Sequence, residues 1–254
     1  MVRSKKVSPT EAPELTESFW GQFNLRPDAS NRDKMLYLTL SEISRRGILD
    51  VNARWLCDVL GVDYSLVNYH FGSFDGLLAE VFVLAHDLWA HSISTALQYP
   101  SKSAEDRLRR VIDAEVARAK QYGAVVGVSL LPHVSEQVSE ILDTKYPQRL
   151  SNVVAYTVCV VAALIHDLRT DDATPIKFDH YAPPIDAFMA DYPAEVRAAI
   201  QVQWALVGPT LWMTGAGGGG ADIEALPQAF TGAAIWAEFT DRLVESVKRD
   251  FTAK

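Results

Sequence analysis

GILDVNARWLCDVLGVDYSLVNYHFGSFDGLLAEVF, residues 47–82, holds two short amphipathic segments around one glycine, followed at once by a longer apolar one. Asn52 has the side chain of a helix N-cap, and Leu56, Val59 and Leu60 recur at helical spacing behind it, so a helix is predicted over 53–60. Gly61 supplies the sharp turn. Asp63 caps a second helix running to about His70, with Leu66 and Val67 facing the core and Tyr64, Ser65, Asn68 and Tyr69 facing outward. This is a helix-turn-helix with its supporting helix. A polar, hydrogen-bonding helix of that length fits the DNA major groove.

The arrangement resembles the DNA-binding domain of the tetracycline-repressor (TetR) family of transcription regulators, over roughly residues 31–90. Gly61, Val62, Tyr69, His70, Phe71, Leu77 and Leu78 stand where the family pattern expects them, and Met35, Leu36, Leu40, Ile43 and Gly47 match its first helix. Two positions depart from it. Asn68 stands where the family has an aromatic residue, and Phe74 stands where it has a lysine that meets a DNA phosphate.

The departures bear on the grip. Residues 51–74 carry Arg54 as their only positive charge, against Asp58 and Asp63. Residues 1–98 hold 9 Lys and Arg against 12 Asp and Glu, a net of −3, and the whole chain has a net charge of −8. Electrostatic attraction to phosphate is therefore weak, and neutral donors carry more of the contact: Asn52, Tyr69 and Ser73 are the phosphate candidates. With Arg54, Asp63, Tyr64, Ser65, Asn68 and His70 they make up the predicted DNA-binding set. Further cations lie in the tail, at Arg3, Lys5 and Lys6, and around the first helix, at Arg32, Lys34, Arg45 and Arg46.

At 254 residues, 48% hydrophobic and 22% charged, the chain has the make-up of a soluble globule of one or two domains. Cys57 and Cys159 each sit in an apolar helical run and are predicted to be buried free thiols in a reducing compartment. No charged-then-apolar leader opens the chain, and the apolar stretch 153–165 is short for a bilayer, so the predicted location is cytoplasmic, with no membrane partner.

The predicted fold is all-α. Residues 1–30 form an N-terminal arm, 31–75 the helix-turn-helix domain, and 76–254 a helical ligand-binding and dimerisation domain whose connecting helix spans about 74–98. Phe19, Trp20, Phe23 and Leu25 are too many large apolar residues for a wholly solvated arm, so part of it is expected to dock. Further helices are predicted over 104–122, about 126–142 with Pro132 as a kink or break, 148–169, 194–213 and about 226–251. Residues 170–193 contain four prolines and resist a helix assignment; their apolar side chains favour a packed cover, a plain surface loop being the alternative.

Catalytic and cofactor chemistry finds little support. The run GAGGGG, 215–220, matches G-x-G-x-x-G formally, but a helical segment precedes it where a dinucleotide site needs a strand. His86 and His91 lie about 140° apart on their helix, poor geometry for one metal. No nucleophile elbow or phosphate loop occurs, so neither enzyme, metal nor cofactor is predicted. Aromatic rows in the second domain, Tyr156, Val160 and Leu164, and Trp204, Gly208 and Trp212, fit a core as well as a pocket.

The resemblance implies a ligand-responsive regulator, a repressor in the usual case, that binds a near-palindromic double-stranded operator as a homodimer. It also implies a small effector among the helices of the second domain and a dimer interface on the last two helices. Tyr156, His166, Trp204 and Trp212 are the candidate ligand residues, and their character fits a hydrophobic effector. The alternative is a helical regulator with a decayed DNA grip that acts through a protein partner.

Overall fold

A computed structural model of the chain describes residues 13–46, 51–122, 135–170, 185–213 and 233–252. Every regular element among them is a helix. In chain order these are α1 (Glu17–Gly21), α2 (Asn31–Arg46), α3 (Ala53–Leu60), α4 (Ser65–Phe71), α5 (Phe74–Gln98) and α6 (Ala104–Tyr122). There follow α7 (Glu136–Lys145), α8 (Arg149–Thr170), α9 (Ile185–Asp191), α10 (Pro193–Met213) and α11 (Ala233–Thr252).

Local chemistry sets the ends of several helices. Thr16, Asn52, Ser73 and Ser135 each hold extended backbone at an N-cap and accept from an N–H of the first turn. Gly61 ends α3 in the left-handed region at φ 66°, and the Val62 N–H closes the helix by donating to the Cys57 carbonyl at 3.0 Å. Gly76 has a different reason to be glycine. A Cβ there would run into the Phe71 backbone carbonyl, so the start of α5 presses directly on the end of α4.

Two hydrophobic cores share α5. Its first half, Leu77 to Ala85, packs with α2, α3 and α4 around Met35, Leu38 and Leu56. Its second half, Trp89, Ala90 and Ile93, enters a core built on α6, α8, α10 and α11. One rigid helix thus joins head to body. The head core also recruits Trp20 from α1 and Val138 and Leu142 from α7. Ion pairs reinforce that join: Arg32 of α2 meets Glu80 of α5, and Arg149 of α8 forks onto Asp87 of α5 at 2.6 and 3.2 Å.

At the centre of the body lies α8, apolar almost all round and packed against α5, α6, α10 and α11, as a helix without a polar face must be. Its 22 residues are long and apolar enough to cross a membrane, yet about two thirds of its most apolar stretch is buried inside the protein. Cys57 and Cys159 are both buried and free, and burial pushes both thiols above their ordinary pKa.

Several elements differ from the sequence expectation. The stretch 170–193 contains α9, whose Phe188 is buried in the body core and stacks 4.8 Å from Tyr192. Residues 171–184 of that stretch lie outside the described residues, as do Pro132, the basic tail, Gly47 and the glycine run. The helix expected over 126–142 is described from Glu136 and runs on to Lys145, because Ser135 caps it. The arm contains α1, held down by Trp20.

Candidate nucleic-acid interface

Helix α4 is held from below by Val67 and Phe71, which are buried, while Leu66 packs at the edge of the same core. With those three turned inward, Ser65, Asn68 and Tyr69 share the opposite face at i, i+3 and i+4 spacing. All three are exposed, Tyr69 by 80%, and Tyr64 at the helix start is 51% exposed. Large aromatics left this open on a short, well-anchored helix form a surface with no partner inside the described chain.

The hydrogen bonding around that face is partly committed. The Asp63 carboxylate accepts from the Ser65 hydroxyl and from the Ser65 N–H at 2.8 Å, which hold its pKa below the usual carboxylate range. The cap position itself falls on Tyr64, which makes no side-chain cap bond, so Asp63 braces the turn ahead of the helix from one residue further out than predicted. Ser65 spends its proton on Asp63 in the unbound chain and offers its oxygen as an acceptor. Asn68 is left with its full amide, two donors and an acceptor, at the centre of the face. His70, half-buried, has its ring edge-on to Tyr69 at 4.9 Å, so it orients that phenol.

The residues predicted from the sequence to meet phosphate lie on either side of the helix in the chain. Asn52 uses Oδ1 to accept from the Trp55 N–H at 3.0 Å and keeps its amide protons. Ser73 likewise uses Oγ to accept from the Gly76 N–H at 2.9 Å. Arg54 is exposed beside them. Arg32 is not available in the same way, because its guanidinium pairs with Glu80 and sits over the Phe71 ring. Phe74 is half-buried against the head core. The residue that replaces the family's lysine is thus a packing residue, an outcome its apolarity allowed.

No protein-family model matches the chain, and no curated protein matches it. Solved structures do. A TetR transcriptional regulator from Legionella pneumophila superposes with a TM-score of 0.57 at 13% identity, over 85% of this chain and 98% of that one. A transcriptional regulator from Rhodococcus sp. RHA1 gives 0.55 at 13% identity, over 87% and 97%. A protein of unknown function from the same organism gives 0.59 at 14% identity, over 88% and 96%. The chain has the TetR-regulator fold.

Within that TetR-type architecture the three described candidate ligand residues, Tyr156, His166 and Trp204, do not gather. Tyr156 is buried in the body core, and burial raises its phenol pKa. His166 lies about 15 Å further along α8, by helical rise, and packs edge-on to Tyr192 at 4.5 Å, with Glu195 3.8 Å from its Nδ1. Trp204 is 74% exposed on α10. The Trp212 side chain lies outside the described residues. The aromatic rows mark core at Tyr156 and surface at Trp204, because an apolar helix gives no sequence signal for which of its faces is covered. A groove between α5 and α6 is lined by His91, Tyr99 and Arg118 among others. The signal available for it was the Glu115 to Arg118 spacing on α6, one helical turn that sets a buried carboxylate beside a guanidinium.

Proposed function

We propose that the chain is a DNA-binding transcription regulator that works in the cytoplasm as a homodimer, reads a near-palindromic operator with α4, and releases it when the body binds a small effector. The observation that carries this reading is the exposed polar and aromatic face Tyr64, Ser65, Asn68 and Tyr69 on the second helix of a helix-turn-helix. The likeness to solved TetR-type regulators supports it. Repression is the natural mode, since effector binding in the body shifts an equilibrium that α5 transmits to the head. Trp204, exposed on α10, supports a dimer built on α10 and α11, for a large aromatic left in water is a natural interface anchor.

The test is a salt titration of binding to the DNA upstream of the protein's own gene. Affinity of about 10⁻⁸ M or tighter, falling steeply with salt, is the expected result. Asn68→Ala weakens specific binding by about 1 to 3 kcal/mol and relaxes preference at one base position per half-site. A specific observation favours the second reading, a head that no longer grips DNA and a body that binds a protein partner: Arg32 is engaged with Glu80, and Phe74 is packed. Absence of operator binding at any salt concentration in the same titration selects that reading.

A further inference from the structure

The outward face of α4 carries no cation. Residues 61–74 contain neither Lys nor Arg, and the exposed side chains of that face, Tyr64, Ser65, Asn68 and Tyr69, are all neutral. By helical rise they span about 7.5 Å along the axis, or about two base-pair steps of roughly 3.4 Å. The face is thus matched to a core of about three base pairs, and its donors and acceptors decide which pairs those are.

Each side chain presents definite chemistry. Ser65 gives its hydroxyl proton to Asp63, so its oxygen accepts, and the amino groups of adenine and cytosine answer an acceptor equally. The Asp63 carboxylate, which alone favours cytosine, is taken up by the Ser65 hydroxyl and N–H. His70 is half-buried, lies about 160° round the helix from Asn68, and sets its ring against Tyr69. Guanine shows two acceptors, O6 and N7, and is singled out by the paired donors of Arg or Lys, which this face lacks. Arg54 belongs to α3, and Arg32 of α2 is held by Glu80. Asn68 keeps a donor and an acceptor side by side, the combination that adenine N7 and N6 require. Tyr69, open to solvent with His70 edge-on beside it, presents an oriented ring of the kind that packs on the thymine methyl group.

We propose that α4 reads a half-site core of A·T pairs, in which Asn68 donates to adenine N7 and accepts from its N6 amino group while the Tyr69 ring packs on the methyl group of an adjacent thymine. The proposal rests on the operator-reading function proposed above and names the bases that are read. Discrimination lies in base edges and methyl groups, and a G·C pair at the Asn68 position leaves the amide facing two acceptors with only one of its groups able to answer.

The experiment selects duplexes from a random library with the full chain and then alters single atoms of the enriched site. The expected site has A·T pairs at the core of each half. 7-Deazaadenine at one core adenine, which lacks only the N7 acceptor, weakens binding by about ten-fold, within the range for one bidentate base contact, and has no further effect in Asn68→Ala. Deoxyuridine, which lacks only the thymine methyl group, weakens binding by about three- to four-fold, the worth of one buried methyl, and has no effect in Tyr69→Ala. Asn68→Arg, at an exposed position, moves the preference at one position from adenine to guanine. A residue with a merely structural role produces none of these atom-specific losses. A G·C core, indifference to 7-deazaadenine at every core adenine, or an Asn68→Arg chain that still selects adenine overturns the proposal and leaves the regulator reading standing. Enrichment of no sequence at all overturns both.

Discussion

Head and body are both helical, and they are held together by different means. In the head, apart from the Arg32 to Glu80 pair, the polar contacts that set the helix ends join residues two or three positions apart: Asn52 with Trp55, Asp63 with Ser65, Ser73 with Gly76. In the body they join distant ones. Arg107 of α6 donates to Asp167 of α8 at 3.1 Å with both side chains buried, and Arg169 of α8 donates to Glu195 of α10 at 2.8 Å. Lys248 of α11 meets Glu105 of α6 at 2.8 Å, and Arg109 meets Asp241 across the same pair of helices. The head is specified by neighbours in sequence. The body is specified by charge pairs between helices, which select register among apolar faces that on their own would slide.

The sharpest way to break this contrast is Arg107→Ala. It strips the guanidinium from a carboxylate that is 2% exposed, and loss of one partner of a buried pair typically costs about 3 to 5 kcal/mol. Urea denaturation is expected to lose that amount, while hydrogen exchange in α3 and α4 changes little. Asp167→Ala and the double variant complete a cycle whose coupling energy isolates the pair. A loss below about 1 kcal/mol, the range of exposed pairs, means the body is held by apolar packing alone.

The head has its own sensitive point in Gly76→Ala. The added methyl meets the Phe71 carbonyl, and backbone cannot yield as a flexible side chain does. Overpacking of this kind costs about 1 to 3 kcal/mol. Here the exchange protection of α4 falls first and operator affinity falls with it, while the Arg107 to Asp167 region stays protected. If the body loosens equally, the two cores on α5 are one cooperative unit and the contrast is blunted.

The same contrast explains what the sequence made legible. The bounds expected for α3 and α5 coincide with the helices seen, since Asn52 and Gly61 close the first and Ser73 and Pro100 bracket the second. The outward face of α4 was equally readable, because Leu66, Val67 and Phe71 claim the other side. Helix α9 was not. Seven residues make two turns, too few for a periodic pattern, and prolines on both sides read as breakers although Pro193 itself opens α10. Val138 and Leu142 gave no sign that they belong to the head core rather than the body. Arg32 read as a DNA cation because its partner Glu80 lies 48 positions away. Nothing in the sequence marks Arg118 for burial, and only the fold sets its guanidinium over the Trp89 ring.

The smallest effect separates two jobs done by one residue. Asn52 caps α3 with Oδ1 and holds amide protons free at an exposed site, so its stabilising role and its proposed phosphate contact use different atoms. Asn52→Ala removes both and is expected to cost about 1 kcal/mol of stability, within the range for lost N-caps. Asn52→Asp keeps an equally good cap, and its charge suits a helix N-terminus, so thermal stability holds. It has no donor for phosphate, however, and it sets a negative charge against the DNA backbone. Operator affinity measured at low salt is therefore expected to fall further in Asn52→Asp than in Asn52→Ala, although the aspartate variant is the more stable protein. The opposite order, affinity tracking stability, makes Asn52 a cap only and passes the phosphate contact to Ser73, Tyr69 and Arg54.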